Sequence, residues 1–491
     1  MHFDASACYS AVASRDRRFE GRFVVAVRTT KIYCRPGCPA PIPLRKNVSF
    51  FGCAAAAEDA GFRPCARCRP DASPDTSAWL GTSATVRRAL RLIAEEGVGD
   101  DGIDALAERL GIGARHLRRL FAQHVGASPS AVAHTRRLHF ARKLLDETSL
   151  PVSEVAFASG FASVRRFNDA VRKTFRRPPT ELRRARLGGP RLAHDANALT
   201  LRIPYTVPYD HGQVLGFLRA RAIPGVELVD HSSYARTLST SAGPAILEVT
   251  TATEGPWLEL SLHGPVSRDL FTITERVRAL FDVAVDPQAI GAHLSRDRLL
   301  RAMVRGRPGL RVPGAWDGFE VAVRAVLGQQ VSVAGATTLS GRLARRFGTR
   351  IPPESVPPAR REALTHLFPT AEVLASAPVE EIGIPRARAQ AILALSEAVA
   401  SGRLALGGYL GLDEAVLALT ELPGIGPWTA HYVAMRALRE PDALPASDLA
   451  LRGAIDPGRT ISGAEVEARA EPWRPWRAYA AMHLWTHAAT N

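Results

Sequence analysis

No cysteine follows residue 68 in this chain of 491 residues; Cys8, Cys34, Cys38, Cys53, Cys65 and Cys68 are the full set. That distribution excludes a disulfide scaffold over most of the chain and any cysteine-held metal centre beyond the N-terminal part. Long apolar runs are also missing. No stretch reaches the roughly eighteen residues needed to span a membrane, and the opening MHFDASACYS has no signal-peptide core. The expectation is a cytoplasmic protein whose thiols stay reduced. Acidic residues are scarce relative to basic ones: 63 Lys and Arg against 48 Asp and Glu give a net charge of +15. A surplus of that size points to a polyanionic partner and to no membrane. The length implies about three to four domains.

What is present begins with the cysteines. Cys34 and Cys38 form a C-x3-C pair, and Cys65 and Cys68 form a C-x2-C pair 26 residues later. Two such claws suit one tetrahedral Zn2+, and either a structural staple or a reactive centre would use this spacing. FVVAVRTTKIYC has the alternating, β-branched character of a strand running into the first claw. Pro36, Pro39, Pro41, Pro43 and Pro64 mark turns around the claws.

RTTKIYCRPGC, RKNVSFF and AGFRPCARCRPD make residues 1–80 resemble the N-terminal domain of Ada-type adaptive-response proteins. The resemblance implies that one zinc-bound thiolate takes a methyl group irreversibly from a methylphosphotriester in DNA. The acceptor maps to Cys34, with Cys38, Cys65 and Cys68 completing the metal set. Such chemistry needs a thiolate, and zinc keeps sulfur deprotonated at neutral pH. Methylation removes one negative charge from the cluster, which tightens DNA binding. Arg35, Arg45, Lys46 and Arg67 lie close enough in sequence to hold the DNA backbone. Cys8 and Cys53 fit neither claw and are expected to be buried thiols.

Residues 81–188 carry helical periodicity and two similar units, IDALAERLGIGARHLRRLFAQHVGASP and VSEVAFASGFASVRRFNDAVRKTFRRPP. Each is a short helix, a turn at Gly111 or Gly160 and a longer arginine-bearing helix, the helix-turn-helix pattern. With AHTRRLHFARKLL between them, the pair resembles the AraC-type double DNA-binding domain. Ser83 to Arg186 contains 20 Lys and Arg against 11 Asp and Glu, in keeping with that use. Arg115, His116 and Arg119 on the first recognition helix, and Ser163, Arg165, Arg166 and Asn168 on the second, are the candidate DNA contacts.

GGPRLAHDAN reads as a linker. Residues 189–285 then alternate like antiparallel strands in LTLRIPYTVPYD, VELVDHSSYARTLS, GPAILEVTTATEG and WLELSLHG, with HGQVLGFLRARAI as a helix. This segment resembles the N-terminal α+β domain of AlkA-type 3-methyladenine DNA glycosylases and is expected to help shape a catalytic unit.

Residues 286–491 read as all-helical. LTELPGIGPWTAHYVAMRAL places Gly424 and Gly426 between two helices, where bare backbone amides can approach a phosphate. Asp448 follows in SDLALR. A helix-hairpin-helix followed by an isolated aspartate resembles the base-excision glycosylase superfamily, and RPGLRVPGAWDGFEVAVRAVLGQQVS and PWRPWRAYAAMHLW extend the likeness to AlkA-type enzymes. Cleaving an N-glycosidic bond builds positive charge on the sugar, which one buried carboxylate can stabilise. The resemblance gives that role to Asp448, with Asp442 and Asp456 as neighbours. It gives the base pocket to Trp428, Tyr432 and Trp476, and the wedge that fills the hole left by a flipped base to Gln330. Trp428 occupies the place where strand-nicking relatives carry a lysine, and no cysteines for an iron–sulfur cluster exist in this half. A monofunctional glycosylase of the 3-methyladenine type, without a cluster, is expected.

The composite expectation is a multidomain, mainly α protein with α+β parts: a small zinc-binding α/β domain, a double helix-turn-helix, an AlkA-type α+β domain and an all-α helix-hairpin-helix domain. It would repair alkylated DNA and regulate transcription, with one Zn2+, double-stranded DNA and RNA polymerase as partners, acting as a monomer. The usual Ada architecture ends in a second methyltransferase with a Pro-Cys-His-Arg motif, which this chain lacks. The alternative is an AraC-type regulator whose glycosylase half is inactive.

Overall fold

The computed structural model describes residues 4–16, 19–68, 70, 84–95, 102–184, 198–252, 254–407 and 411–490. The linker expected at GGPRLAHDAN and the boundary expected near residue 80 lie outside these residues. The chain divides into two compact units, one of Met1–Tyr205 with Ser267–Glu275, the other of Thr206–Val266 with Arg276–Asn491. Among the described residues no helix is long and apolar enough to cross a membrane.

In the first unit, β1 (Val24–Val27), β2 (Ile32–Cys34), β3 (Val48–Phe51) and β4 (Arg63–Pro64) form a sheet in the order β3-β1-β2-β4. The single strand expected over FVVAVRTTKIYC is therefore two: it turns back on itself, with Lys31 at φ 53°, so that Val25 pairs with Cys34. Successive residues face opposite sides of the pleat. Val25 joins the cluster holding Cys34, Cys38, Cys65 and Cys68. Its neighbour Ala26 packs with Tyr33, Ala57 and Phe62 on the other face. β2 and β4 run parallel, and the Cys65 amide donates to the Tyr33 carbonyl at 3.0 Å. That pairing sets the second claw beside the first.

Two helix-turn-helix units follow. The helix Gly102–Arg109 leads through Gly111, at φ 67°, to Ala114–His124, and Val152–Ala158 leads through Gly160, at φ 76°, to Val164–Phe175. These positive φ values are left-handed turns that favour glycine. Leu117 and Phe121 on one longer helix, and Phe167 and Val171 on the other, are fully buried. The 19-residue helix Pro129–Glu147 lies between the units in the chain and is N-capped by Ser128.

The second unit contains β6 (Glu227–Val229), β7 (Ser233–Thr240), β8 (Gly243–Thr251) and β9 (Trp257–His263), each antiparallel to the next; β5 (Leu199–Pro204) precedes them in the chain and ends the main segment of the first unit. VELVDHSSYARTLS, expected as one strand, is split because Asp230 accepts bonds from the Ser232 and Ser233 amides and turns the chain. The helix Gly318–Leu327, capped by Asp317, is apolar nearly all round and buried on all sides, with Arg386–Ala400 and Pro427–Arg436 in the same core. Arg236 on β7 reaches this helix through a bidentate ion pair with Glu320, 2.8 and 3.2 Å, fixing sheet to helices.

Candidate functional sites

The four claw sulfurs lie within 4.8 Å of one another and are largely buried. A tetrahedral ion with about 2.3 Å metal–sulfur bonds requires such an arrangement, so the donor set fits Zn2+. Hydrogen bonds from Cys34 and Cys68 drive the Cys65 thiol down, while the Cys34 thiol is pushed up, chiefly by its bond to Cys65. Only a cation lets all four ionise together. A groove of about 610 Å³ opens on Cys34, lined also by Thr29, Thr30, Asn47, Arg35 and Arg67. Arg35 pairs with Glu20 at 3.1 Å, and Arg45 caps the Ala5 carbonyl and lies over the Tyr9 ring. Lys46 and Arg67 are exposed. Cys8 is buried as expected; Cys53 is only half-buried and donates to the Val125 carbonyl at 3.5 Å.

On the helix Ala114–His124, Arg115, His116 and Arg119 are all exposed, with Arg119 bonded to His116 at 2.9 Å. On Val164–Phe175, Arg165 and Arg166 are exposed and Asn168 is half-buried. Ser163 caps that helix by accepting the Arg166 amide at 3.3 Å, a structural duty not foreseen for it.

In the second unit, Asp448 sits half-buried at the N-cap of Leu449–Ile455, where its Oδ1 accepts the Leu451 amide at 2.9 Å. The same oxygen accepts the Trp485 indole N–H at 2.9 Å, and Oδ2 accepts the Trp428 indole N–H at 2.9 Å. Trp428 stacks on Tyr432 with centroids 5.3 Å apart and planes 7° apart, and Trp485 approaches Tyr432 at 6.3 Å. The aspartate thus holds the rings that surround it. The sequence reading did not single out Trp485, although it ends the quoted stretch PWRPWRAYAAMHLW. Trp476, buried and packed edge-on against Tyr479, makes no ring contact with Trp428, Tyr432 or Trp485. Asp442 is taken up by Arg477, at 2.8 and 3.0 Å, and by Arg474. Asp456 is the C-cap of the helix that Asp448 begins.

The hairpin joins Leu412–Thr420 to Pro427–Arg436, with Ile425 buried between. Gly424 has φ 76°, and a Cβ there would lie 2.8 Å from that of Ala391. Gly426 is exposed, and a Cβ there would meet nothing within 4 Å. Gln330 is exposed and held at φ 57°, an uncommon conformation for a residue with a side chain. Its neighbour Gln329 donates to the Gly424 carbonyl at 2.8 Å and to the Thr429 hydroxyl at 3.1 Å.

A hairpin of this type beside a tryptophan-held carboxylate, in a chain that also carries a thiolate cluster and two helix-turn-helix units, defines a DNA-directed repair protein. Four family models match in succession: the metal binding domain of Ada over residues 7–71, a helix-turn-helix domain over 106–185, the AlkA N-terminal domain over 200–317 and the HhH-GPD superfamily of base excision DNA repair proteins over 323–477. The "Probable bifunctional transcriptional activator/DNA repair enzyme AlkA" of Mycobacterium tuberculosis H37Rv is 44% identical over 488 residues, covering 99% of this chain and 97% of that one. DNA-3-methyladenine glycosylase 2 of Escherichia coli K12 is 35% identical across 57% of this chain and 94% of its own. The bifunctional transcriptional activator/DNA repair enzyme Ada of that organism is 41% identical across 25% of this chain and 33% of its own. A solved 3-methyladenine DNA glycosylase from Archaeoglobus fulgidus shares the fold over 59% of this chain and 98% of its own, at a TM-score of 0.51 and 20% identity. The chain belongs to the family of bifunctional transcriptional activators and DNA repair enzymes that unites Ada-type and AlkA-type parts. It is a DNA-binding protein with DNA repair activity.

Proposed function

We propose that the chain senses DNA methylation at Cys34 and excises alkylated bases of the 3-methyladenine type at Asp448, acting as a single-turnover methyltransferase and a monofunctional glycosylase. The four-part division at about residues 80, 188 and 285 gives each activity its own segment. Cys34, Cys38, Cys65 and Cys68 would hold one Zn2+, which when bound keeps their sulfurs deprotonated at neutral pH. Cys34 Sγ forms a bond to the methyl carbon of a methylphosphotriester while the O–CH3 bond breaks, leaving a phosphodiester. The groove over Cys34 admits such a backbone, and Arg67 on its rim can meet the phosphate. Exposed Arg115, His116, Arg119, Arg165 and Arg166 would read promoter DNA, and the protein bound there would have RNA polymerase as its partner.

In the glycosylase half, Asp448 would stabilise the oxocarbenium-like sugar as the base departs, and water would complete the hydrolysis. The observation that carries this reading is the convergence of the Trp428 and Trp485 indole N–H groups on one carboxylate, which fixes its orientation beside the stacking rings. Trp428 and Tyr432 stack the flipped base, Gly424 and Gly426 hold the backbone, and Gln330 enters the vacated space. Trp476, one shell away on Tyr479, supports the pocket. No iron–sulfur cluster takes part, and the protein works as a cytoplasmic monomer. The intact cage around Asp448 speaks against an inactive glycosylase half.

The test is incubation of the purified chain with methylated duplex DNA. One added methyl on the Cys34 peptide by intact-mass and peptide mass analysis, together with release of 3-methyladenine, is expected. Absence of the adduct removes the sensor, and promoter binding without base release leaves the regulator alone.

A further inference from the structure

One exposed helix face in the second unit carries charge of a single sign. Residues 290–312 contain six arginines, Arg296, Arg298, Arg301, Arg305, Arg307 and Arg311, and one acidic residue, Asp297. Two of these arginines serve the fold: Arg311 is fully buried over the Tyr209 ring, and Arg307 pairs with Asp210 at 2.8 Å. The other four are exposed. The helix Arg298–Gly306 sets Arg298, Arg301 and Arg305 in one stripe, since residues three and seven apart share a face. Leu300 and Val304 on the opposite side are buried, and the helix packs against Arg477–Thr490, which bears Trp485.

Nothing in the fold balances the stripe. Among the described residues no carboxylate pairs with Arg296, Arg298, Arg301 or Arg305, and Arg301 Nε donates to the neutral Ser295 carbonyl at 3.0 Å. Asp297 is already taken: it accepts the Leu299 amide at 2.8 Å, Arg469 at 2.9 Å and the Trp473 indole N–H at 2.8 Å. Exposed arginines elsewhere in the unit do have acidic partners, Glu381 for Arg346 at 2.6 Å and Glu465 for Arg459 at 2.8 Å. The helix itself disfavours the arrangement. Like charges three or four residues apart repel, and a cation in the first turn, here Arg298, opposes the helix dipole. A polyanion outside the chain would reverse both effects.

We propose that Arg298, Arg301 and Arg305, with Arg296 beside them, form a second DNA-backbone surface of the glycosylase unit, made by an element other than the hairpin, that grips duplex phosphates without reading sequence. At 1.5 Å rise per residue the three span about 10 Å of helix, an interval over which a duplex presents about six phosphate charges. Guanidinium suits this partner, because its planar fork meets a phosphate with two parallel bonds. The mounting is firm. Asp297 ties the start of the helix to Arg469 and Trp473, and His293 just before it meets the Pro472 carbonyl at 3.1 Å. A sequence-blind grip of this kind keeps the glycosylase half on undamaged duplex, where a lesion search spends its time. It requires no role for Asp448.

The test uses the full chain and an undamaged duplex of about 30 base pairs, with affinity measured from about 50 to 200 mM salt. Arg298→Gln, Arg301→Gln and Arg305→Gln combined should weaken binding roughly 10- to 100-fold in the middle of that range and lower the slope of log affinity against log salt by about 2 to 3. Lysine at the same three positions should restore the slope, since it keeps the charge. The helix-turn-helix units are the same in every variant, so the differences belong to the stripe. A control set removes equal charge from other exposed sites: Arg346→Gln and Arg459→Gln, whose arginines have carboxylate partners, and Arg219→Gln, whose arginine meets His231. It should shift the slope by less than half as much. The unfolding midpoint of the glutamine variant should be no lower than that of the natural protein, because like-charge repulsion is relieved. A slope unchanged in the glutamine variant, or lowered equally by the control set, overturns the second surface.

Discussion

The Tyr33 hydroxyl donates to Glu58 Oε1 at 2.8 Å, and Tyr33 directly precedes Cys34. Glu58 belongs to Ala54–Asp59, and its carboxylate also meets His139 at 3.0 Å and Thr135 at 2.6 Å, both on the helix Pro129–Glu147 between the two helix-turn-helix units. One buried carboxylate therefore joins the strand that bears the proposed methyl acceptor to the central helix of the DNA reader.

Glu58→Gln should loosen that junction. Burial pushes the Glu58 carboxyl up, but His139, Thr135 and Tyr33 together hold it below its ordinary value of 4.5. A depressed folded-state value means that the stabilisation is present above the unfolded-state value and is lost as pH falls through the folded one. The substitution should cost the first unit about 2 kcal/mol at neutral pH, and the gap should close below about pH 4. Denaturant unfolding of both proteins at several pH values checks this; a gap constant with pH would mean that the charge is not what matters.

Asp448→Asn retains a side-chain oxygen for the Leu451 amide and so keeps the helix cap. Base release should fall at least about 100-fold, with duplex affinity within about twofold because no phosphate contact is removed. Release assays paired with binding curves separate the two. Retained release would move catalysis to another carboxylate.

Trp485→Phe keeps an aromatic ring beside Tyr432 and removes the N–H that Asp448 Oδ1 accepts. Loss of one hydrogen bond to a charged group costs about 1.5–3 kcal/mol, so kcat should drop roughly 10- to 100-fold. KM should change little, since the substitution alters the orientation of the carboxylate more than the stacking surface. Trp476→Phe, acting through Tyr479, should leave kcat within about threefold, and single-turnover rates of both variants decide between them.

The two hairpin glycines should separate stability from binding. Gly424→Ala places a Cβ 2.8 Å from that of Ala391 in a left-handed backbone and should destabilise the second unit by about 1–3 kcal/mol. Gly426→Ala meets no protein atom within 4 Å, so its unfolding midpoint should be unchanged while non-specific duplex affinity falls. Thermal unfolding and a salt-dependent binding series report the two effects independently.

The claws and the hairpin were legible because each is local: Cys34 with Cys38, Cys65 with Cys68, and Gly424 with Gly426 are fixed by neighbours in the chain. The cage around Asp448 was only half legible. Trp485 stands 37 residues from its partner, and a tryptophan on a helix reads as core unless the approach of Arg477–Thr490 to Leu449–Ile455 is known. The reversal inside FVVAVRTTKIYC escaped because RTTK carries neither glycine nor proline, and Lys31 adopts the left-handed turn that such residues usually mark.

Gln329 ties together two parts of the glycosylase half, since its side-chain amide holds the Gly424 carbonyl and the Thr429 hydroxyl while Gln330 follows directly in the chain. On the roles proposed for them, the backbone grip and the probing side chain are the two jaws of a calliper, and this amide sets the gap between them. The protein then measures a fixed interval along the strand: the phosphate it grips dictates which nucleotide is tested, whatever base that nucleotide carries. Lesion search becomes a matter of stepping this gauge along DNA, and chemical discrimination begins only once a nucleotide has already been selected by distance.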